Sequence, residues 1–338
     1  MGQDTPIDRS TRWPYRDGEL GEFSYSRFDH PAGVAAERAL AELEGGGQAL
    51  LFASGMAAAT AAVLALSGPG KTIALGEGCY YGTTKLFELL EPWGVRFVQY
   101  DQAGPPPADT DLVWIELPGN PLLTVPDLEA AAAHPAPVVC DATAATPILC
   151  RPLEHGVDVV LHSATKYLGG HHDTLLGALA FRDSELHDRV KTVRMQTGAI
   201  ASPDSAWLLS RSLKTLELRV LRQSETALEL ARRLAGHERV EVVRYPGLGP
   251  DPLAARYLHG GFGGLLSFDV ADADAARRVE TSTKLIANAT SLGGVDTTIE
   301  GRFRWEGDRV PPGLLRLSVG VEDVEALWAD LEQALAQT

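Results

Sequence analysis

Short apolar runs that alternate with helical patterns are the feature that most constrains how this chain can fold. In the first half of the chain they occur at residues 49–52, 72–75, 95–98, 112–115, 138–140, 157–161 and 177–181. Near-continuous apolar runs are typical of parallel strands, because helices cover both faces of a parallel sheet. We therefore predict an α/β fold with a mainly parallel sheet flanked by helices.

The second half of the chain predicts a further, smaller unit. Residues 205–234 have the pattern of one long helix, strand-like runs follow at 240–243 and 265–268, and an amphipathic helix closes the chain. A length of 338 residues can accommodate a large domain and a small one. We predict a short N-terminal arm, a large domain and a smaller C-terminal α/β domain, at residues 1–24, 25–222 and 223–338.

Composition excludes several classes of partner. The 45 acidic and 30 basic residues give a net charge of −15, which disfavours binding to nucleic acid or to an anionic membrane. No apolar stretch is long enough to span a bilayer, and the N-terminus lacks the apolar segment of a secretion signal. The three cysteines, and the run at 171–173, lack metal-ligand spacing. We expect a cytoplasmic protein without a metal ion.

A lysine follows the apolar run 157–161 at a position where a surface charge is poorly explained. The run continues into Ser163, Thr165 and Lys166 and then into a glycine pair. A lysine at the end of a core strand is well placed to form an imine with an aldehyde cofactor. The two flanking hydroxyls are suited to binding a phosphate. This segment predicts a cofactor that carries both groups.

Two other segments fit the same cofactor. Asp141 follows a buried strand, where a carboxylate needs a partner such as a protonated pyridine nitrogen; a helix-cap aspartate would look the same. Ser54, Gly55 and Met56 lie between a strand and a helix, where a glycine and free helix amides suit a phosphate. A small-residue cap is the alternative there. The combination of the three segments is what favours a cofactor site.

An ordered set of motifs resembles one enzyme family. The matching segments are 25–27, 54–58, 79–80, 118–121, 141–143, 163–171, 211–216, 245–248, 291–294 and 316–320. In this order they resemble the pyridoxal 5'-phosphate (PLP) enzymes of cysteine and methionine metabolism, the cystathionine synthase and lyase group. The resemblance implies the fold of type I PLP enzymes, PLP as cofactor and a sulfur amino acid as substrate.

The resemblance also implies roles for individual residues around PLP. Lys166 would bond to the cofactor and shuttle protons, Asp141 and Thr143 would hold the ring nitrogen, and Tyr80 would stack on the ring and act in acid–base chemistry. The phosphate would be bound by four residues of this chain and by two residues that reach across from a neighbouring subunit. These are Ser163, Thr165, Gly55 and Met56, with Tyr25 and Arg27 from the neighbour.

For the substrate, the resemblance implies a clamp on the α-carboxylate by Arg316, with Asn120 and Ser291 beside it. Lys85 occupies a position where relatives that handle cystathionine place an arginine, so it is predicted to meet the distal carboxylate; a plain surface lysine is the alternative. Because Tyr25 and Arg27 would reach into the neighbouring subunit, the resemblance implies a homodimer as the minimum active unit, and we expect a homotetramer. The short segment before Tyr25 leaves the tetramer less supported than the dimer.

The predicted reaction is the cystathionine γ-lyase reaction, which gives cysteine, 2-oxobutanoate and ammonia. Residues 301–308 resemble bacterial proteins described by that activity, whereas Thr290 lacks the acidic or aromatic side chain that separates subfamilies. The open alternatives are cystathionine γ-synthase or O-acyl-homoserine sulfhydrylase, and methionine γ-lyase or cystathionine β-lyase. A catalytically silent scaffold is the alternative of a different class.

Overall fold

The computed structural model describes residues 6–338, which contain two β-sheets. Strands β1 to β12 span Gln48–Phe52, Thr72–Gly76, Arg96–Tyr100, Leu112–Glu116, Val138–Asp141, Val159–His162, Gly177–Phe181, Val242–Arg244, Leu265–Asp269, Ala287–Asn288, Thr298–Gly301 and Leu314–Ser318. Helices α1 to α12 span Pro31–Leu43, Gly55–Leu66, Tyr81–Leu90, Leu128–Ala132, Thr146–Leu149, Ser184–Thr197, Pro203–Leu213, Leu216–Ala235, Pro252–Tyr257, Ala273–Ser282, Phe303–Glu306 and Val324–Leu335.

The main sheet has seven strands in the order β1-β7-β6-β5-β4-β2-β3. Its strands pair in parallel from β3 to β6, and β7 runs antiparallel to both of its neighbours. Two apolar clusters cover the two faces of this sheet. The predicted α/β fold with a mainly parallel sheet is confirmed, and all nine predicted apolar runs are strands within a few residues of their expected limits.

The second sheet has five strands in the order β10-β11-β12-β9-β8, and most of its pairs are antiparallel. A third apolar cluster joins it to α8, α10 and α12. Strands β10 to β12 were absent from the sequence prediction. The first two are only two and four residues long, so they carry little periodic signal.

The predicted long helix at 205–234 is wrong in one respect, because it is two helices. Helix α7 ends at Leu213 and α8 begins at Leu216. The Ser212 carbonyl at this break accepts hydrogen bonds from Thr215 Oγ1 and Arg219 Nη2, at 3.2 and 3.0 Å. Side chains therefore occupy the carbonyl that would continue the helix. The predicted domain limit at 222/223 falls inside α8, whose two ends pack in different clusters.

The N-terminal arm is described from residue 6 onward, and residues 1–5 of the predicted arm lie outside the described part. Arg9 pairs with Asp204 of α7 at 2.5 Å, which ties the arm to the large sheet's side of the molecule. Within residues 6–338, no helix combines the length and the apolar character needed to cross a membrane.

Candidate active site

A cavity of about 420 Å³ lies where the carboxyl ends of the main parallel strands face the second sheet. Ligands of open α/β sheets bind at this edge. The cavity brings together eleven of the fourteen residues predicted for the site. They are Gly55, Met56, Tyr80, Asn120, Asp141, Thr143, Ser163, Thr165, Lys166, Ser291 and Arg316.

Asp141 lies on the cavity floor at the end of β5, beside Glu116 at the end of β4. The Thr143 amide donates to Asp141 Oδ1 at 3.0 Å, and the Thr143 hydroxyl accepts from the Ser163 amide at 2.7 Å. Thr143 therefore connects the floor carboxylate to the segment that holds Lys166. Burial raises the pKa of Asp141, and the hydrogen bonds from Thr143 offset part of that increase.

The start of α2 contacts the end of β6 at one side of the cavity. A Cβ atom added at Gly55 would lie 3.0 Å from both Cβ and Oγ of Ser163, so any larger residue at this position would have to push Ser163 away. Ser54 caps the helix through Ala57, at 3.1 Å, and the amides of Gly55 and Met56 precede the first intrahelical bonds. The helix therefore presents donors that suit an anion.

Thr165 also lines the cavity, but its hydroxyl is engaged within the loop. It donates to the Leu176 carbonyl at 3.1 Å and accepts from the Leu176 amide at 2.9 Å. These bonds fix the turn that presents Lys166. A phosphate contact from the Thr165 hydroxyl remains a prediction.

Lys166, which follows β6 of the main sheet, contacts Ser291, which lies between β10 and β11 of the second sheet. Lys166 Nζ donates to Ser291 Oγ at 2.7 Å. Burial, followed by the positive charge of Arg316, lowers the pKa of Lys166 to about 8. Ser291 has a φ of +87°, a left-handed conformation that is uncommon outside glycine. The strained residue lies directly against the reactive amine, as such residues often do at functional sites.

Arg316 extends from β12 into the cavity and is 4% exposed. Its Nη1 donates to Asn120 Oδ1 at 3.0 Å, and its Nη2 donates to the Ser291 carbonyl at 2.8 Å. Burial and the nearby Arg302 charge lower the pKa of Arg316 to about 10. Ser291 therefore links Arg316 to Lys166, and the three predicted residues form one group.

Tyr80 precedes α3 and its backbone is held by the cavity floor. The Tyr80 amide donates to Glu116 Oε2 at 2.5 Å. Burial raises the pKa of the Tyr80 hydroxyl to about 12, so this phenol stays protonated at neutral pH. Burial and the proximity of Asp141 raise the pKa of Glu116 well above its usual value. Of the two neighbouring carboxyls, Glu116 therefore has the more strongly raised pKa.

Lys85, Tyr25 and Arg27 lie outside the cavity. Lys85 is on the exposed side of α3, paired with Glu88 at 2.7 Å, in a neighbouring depression that shares Trp305 with the cavity. Tyr25 is exposed, and Arg27 donates to the Met195 carbonyl at 2.6 Å. Their predicted contacts, with substrate and with a neighbouring subunit, stay predictions.

Sequence reasoning missed a group of residues that come from the second sheet. Glu300 lies in the short β11, one residue before its end, and Arg302 and Trp305 follow around α11. Glu300 Oε2 accepts from Arg302 at 2.7 Å and from Arg316 at 2.9 Å. The signal that could have found them is the acidic residue directly after two β-branched residues, Thr298 and Ile299, which favour a strand. A charge there needs a buried partner.

Comparison with known proteins identifies the family. Residues 3–336 match the family described as Cys/Met metabolism PLP-dependent enzyme. The chain belongs to this family. A cystathionine gamma-synthase of Mycobacterium tuberculosis is 41% identical over 340 residues, and the alignment covers 94% of this chain and 87% of that protein. An L-methionine gamma-lyase of Brevibacterium sandarakinum is 42% identical over 326 residues, covering 92% and 82%.

A solved structure agrees with this family assignment. The cystathionine gamma-lyase of Lactobacillus plantarum complexed with L-serine superposes with a TM-score of 0.92 at 31% identity, covering 98% of this chain and 93% of that one. The fold is therefore that of the type I PLP enzymes, and the protein is a PLP-dependent enzyme. These relatives carry three different activities, so family membership alone leaves the specific reaction open.

The cavity fits the family's cofactor. PLP has an aldehyde, a ring nitrogen that carries a proton, and a phosphate. The structure supplies a buried amine at Lys166, a floor carboxylate at Asp141 that lacks a strong cationic partner, and a helix start at Gly55 that contacts Ser163. Each group of the cofactor therefore has a complementary group. Within the described residues 6–338, no cluster of three or more His, Cys, Asp or Glu side chains is arranged to bind a metal ion.

Proposed function

We propose that this family member is a carbon–sulfur lyase that cleaves cystathionine at the γ-position to cysteine, 2-oxobutanoate and ammonia. The observation that carries the proposal is the Ser291 bridge. Ser291 accepts from Lys166 Nζ at 2.7 Å through its hydroxyl and from Arg316 Nη2 at 2.8 Å through its carbonyl. A proton-transfer group and an α-carboxylate clamp are thereby held side by side.

PLP, when bound, supplies an aldehyde that bonds to amines and a cationic ring that accepts electrons from broken C–H bonds. Lys166 is assigned to the aldehyde. Asp141, supported by Thr143, is assigned to the ring nitrogen, because a buried carboxylate is stabilised by an adjacent cation. Ser163, Thr165 and the amides of Gly55 and Met56 are assigned to the phosphate.

Lys166 is also assigned as the residue that moves protons. A pKa of about 8 leaves a fraction of the free amine unprotonated at neutral pH. Nζ therefore accepts the proton from the substrate's α-carbon and donates it to another carbon of the substrate. Arg316, with Asn120 as its partner, holds the α-carboxylate in a fork. The Ser291 contact keeps the amine near the carbon that loses the proton.

Tyr80 is assigned as a proton donor and as the residue that stacks on the ring. Its pKa of about 12 makes the phenol a poor base and keeps its proton available for the departing thiolate. The hydrogen bond from its amide to Glu116 fixes the position of the ring. This favours the acid role over the base role for Tyr80.

The direct test is to purify the protein, record the yellow absorbance of the bound cofactor, and assay cystathionine, methionine and an O-acyl-homoserine for 2-oxo acid release. The proposal expects 2-oxobutanoate and cysteine from cystathionine at the highest kcat/KM. Pyruvate and homocysteine from cystathionine would instead assign β-cleavage. Faster turnover of methionine would assign a methionine γ-lyase.

A second candidate is cystathionine γ-synthase, and the 41% identical M. tuberculosis relative of that name favours it. The same site would serve both reactions, because they differ in whether water or a thiol meets the activated substrate. Incubation of O-succinyl-homoserine with and without cysteine separates them. Cystathionine formation that outpaces 2-oxobutanoate release would favour the synthase.

We further propose that the active unit is at least a homodimer, in which Tyr25 and Arg27 reach the phosphate of the neighbouring subunit, and that two dimers form a tetramer in the cytoplasm. Tyr25 is 44% exposed, and the Arg27 guanidinium lies 5.4 Å from its ring centroid. Light scattering gives the mass of the assembly. A monomer that binds PLP at full stoichiometry would contradict the proposed contact of Tyr25 and Arg27 with the neighbouring subunit's phosphate.

A further inference from the structure

Two guanidinium groups share one carboxylate oxygen on the wall of the cavity. Arg302 Nη1 and Arg316 Nη2 donate to Glu300 Oε2 at 2.7 and 2.9 Å. The other Glu300 oxygen accepts from Trp305 Nε1 at 2.8 Å. Arg316 already has the α-carboxylate as its assigned ligand. Arg302 has no role in the proposed reaction, although it lines the same cavity.

Arg302 retains unused hydrogen-bonding capacity in a buried position. Arg302 is 2% exposed. Besides its bond to Glu300, it donates a hydrogen bond from Nη2 to Glu306 Oε1 at 2.9 Å. Its Nε is buried without a hydrogen-bond partner within residues 6–338. That Nε is closed off from the cavity, but each terminal nitrogen carries two N–H groups and donates one of them to a glutamate, which leaves one N–H on each for a ligand in the cavity that Arg302 lines. The Tyr81 ring lies 5.8 Å from the guanidinium and restricts its position.

The charges around Arg302 favour an additional anion. Glu300 and Glu306 form ion pairs with Arg302, Arg309 and Arg316, so this cluster has one more positive than negative group. Both guanidinium groups donate to the same Glu300 oxygen, so the two buried cations lie close together and their charges repel. A second carboxylate in the cavity would reduce that repulsion.

Lys85 is poorly placed for the same task. Its side chain is 62% exposed and forms an ion pair with Glu88 at 2.7 Å, outside the cavity. An exposed ammonium is hydrated and contributes little to binding. The family resemblance predicts that Lys85 contacts the distal carboxylate of the substrate. In this chain the buried Arg302 is better placed for that contact.

We propose that Arg302 binds the second carboxylate of substrates with two anionic ends, while Arg316 binds the α-carboxylate. Arg302 is then a specificity-determining residue that selects such substrates over methionine and other amino acids with an apolar end. The inference rests on the proposed function for the role of Arg316. It assigns the substrate class, whichever carbon–sulfur reaction the site performs.

The test uses two unreactive ligands that differ in one group. L-2-Aminosuberate has a distal carboxylate about as far along the chain as cystathionine, and L-2-aminooctanoate has a methyl group in its place. Binding to the PLP-loaded enzyme is measured by calorimetry and by the change in cofactor absorbance, so no turnover is required. The wild type is expected to bind the dicarboxylic ligand about ten-fold or more tightly, as a charge-assisted hydrogen bond in a buried site provides.

Three variants locate the preference. Arg302→Gln is expected to reduce the ratio of the two affinities to within about three-fold of unity, because the charged donor is lost. Arg309→Gln, a matched control that also loses a pairing with Glu306 but lies outside the cavity, is expected to retain the ratio. Lys85→Gln is the competing case. If Arg302→Gln loses its cofactor band, the double variant Arg302→Gln/Glu306→Gln removes the orphaned carboxylate as well.

Each outcome decides between the hypotheses. Equal affinities in the wild type, or a preference that survives in the Arg302 variants, overturns the inference, as does a preference that disappears in Lys85→Gln alone. If the wild type shows the preference but releases no 2-oxo acid and forms no thioether from any sulfur amino acid, the proposed function fails and the Arg302 site stands. If the wild type has lyase activity but no preference for the dicarboxylic ligand, the proposed function stands and the Arg302 site fails.

Discussion

The floor and the wall of the cavity are built in different ways. The floor, here Glu116, Asp141, Thr143, Ser163 and Lys166, lies at the carboxyl ends of three adjacent parallel strands. The wall, here Ser291, Arg302 and Arg316 with their partner Glu300, comes from the second sheet and from the segments on either side of β11. Strand ends fix the floor groups, whereas the wall depends on how the two sheets meet. We infer that the floor serves the cofactor and that the wall selects the substrate.

The largest effect is expected from removing the Lys166 amine, the floor group that contacts the wall at Ser291. Lys166→Ala should lower kcat by at least about 10³-fold, since both the covalent link and the proton carrier are lost. Borohydride reduction should no longer attach the cofactor to the protein. Lys71→Ala, which removes a surface lysine paired with Asp111, is the control and should keep both properties. A reducible bond and turnover that both survive in the Lys166 variant would refute the assignment.

The two floor carboxyls should differ strongly in what they do for the cofactor. Asp141→Asn should weaken PLP binding by about 10²-fold or more, because it leaves the cationic ring without its buried partner. Glu116→Gln should change the PLP affinity by less than about three-fold, since the pKa of Glu116 is raised well above its usual value, which favours the neutral carboxyl that Gln resembles.

Absorbance titration of the apoenzyme with PLP measures both floor variants. Similar losses of affinity in the two would show that Glu116 carries the charge, or shares it. Melting temperatures of the apoproteins control for damage to the fold, because they do not depend on the cofactor.

Wall variants should spare the cofactor and weaken substrate binding. Arg316→Lys keeps a positive charge but loses the two-pronged donor, so KM for cystathionine should rise about 10- to 100-fold. The PLP affinity should stay within about two-fold of the wild-type value. A parallel loss of PLP would contradict the division between floor and wall.

The smallest expected effect is on the pH profile. With the unprotonated Lys166 amine as the proposed base, kcat should rise as the pH increases through about 8, the pKa of the free amine. The negative charge of Glu300 raises that pKa. Glu300→Gln should therefore move the rising limb to lower pH, by less than about one unit. A shift to higher pH would show that Glu300 acts mainly by holding Arg316 in place.

Prediction from sequence worked where a residue's position follows from its strand. The apolar run 157–161 and the hydroxyls beside Lys166 were sufficient to place that lysine at a sheet edge, and Asp141 likewise. It failed where local signals are short or compete with side-chain hydrogen bonds. Strands β10 and β11 are too short to show a period, and the Ser212 carbonyl ends a helix that the pattern would continue.

The sequence by itself determined the fold class, the positions of the main strands along the chain and the cofactor, because apolar runs and short motifs are local signals in the chain. Only the tertiary structure decided that Glu300 and Arg302 join Arg316, and that Lys85 lies outside the cavity. Those contacts cross between sheets over long sequence separations, and packing, rather than local pattern, sets which buried charges meet.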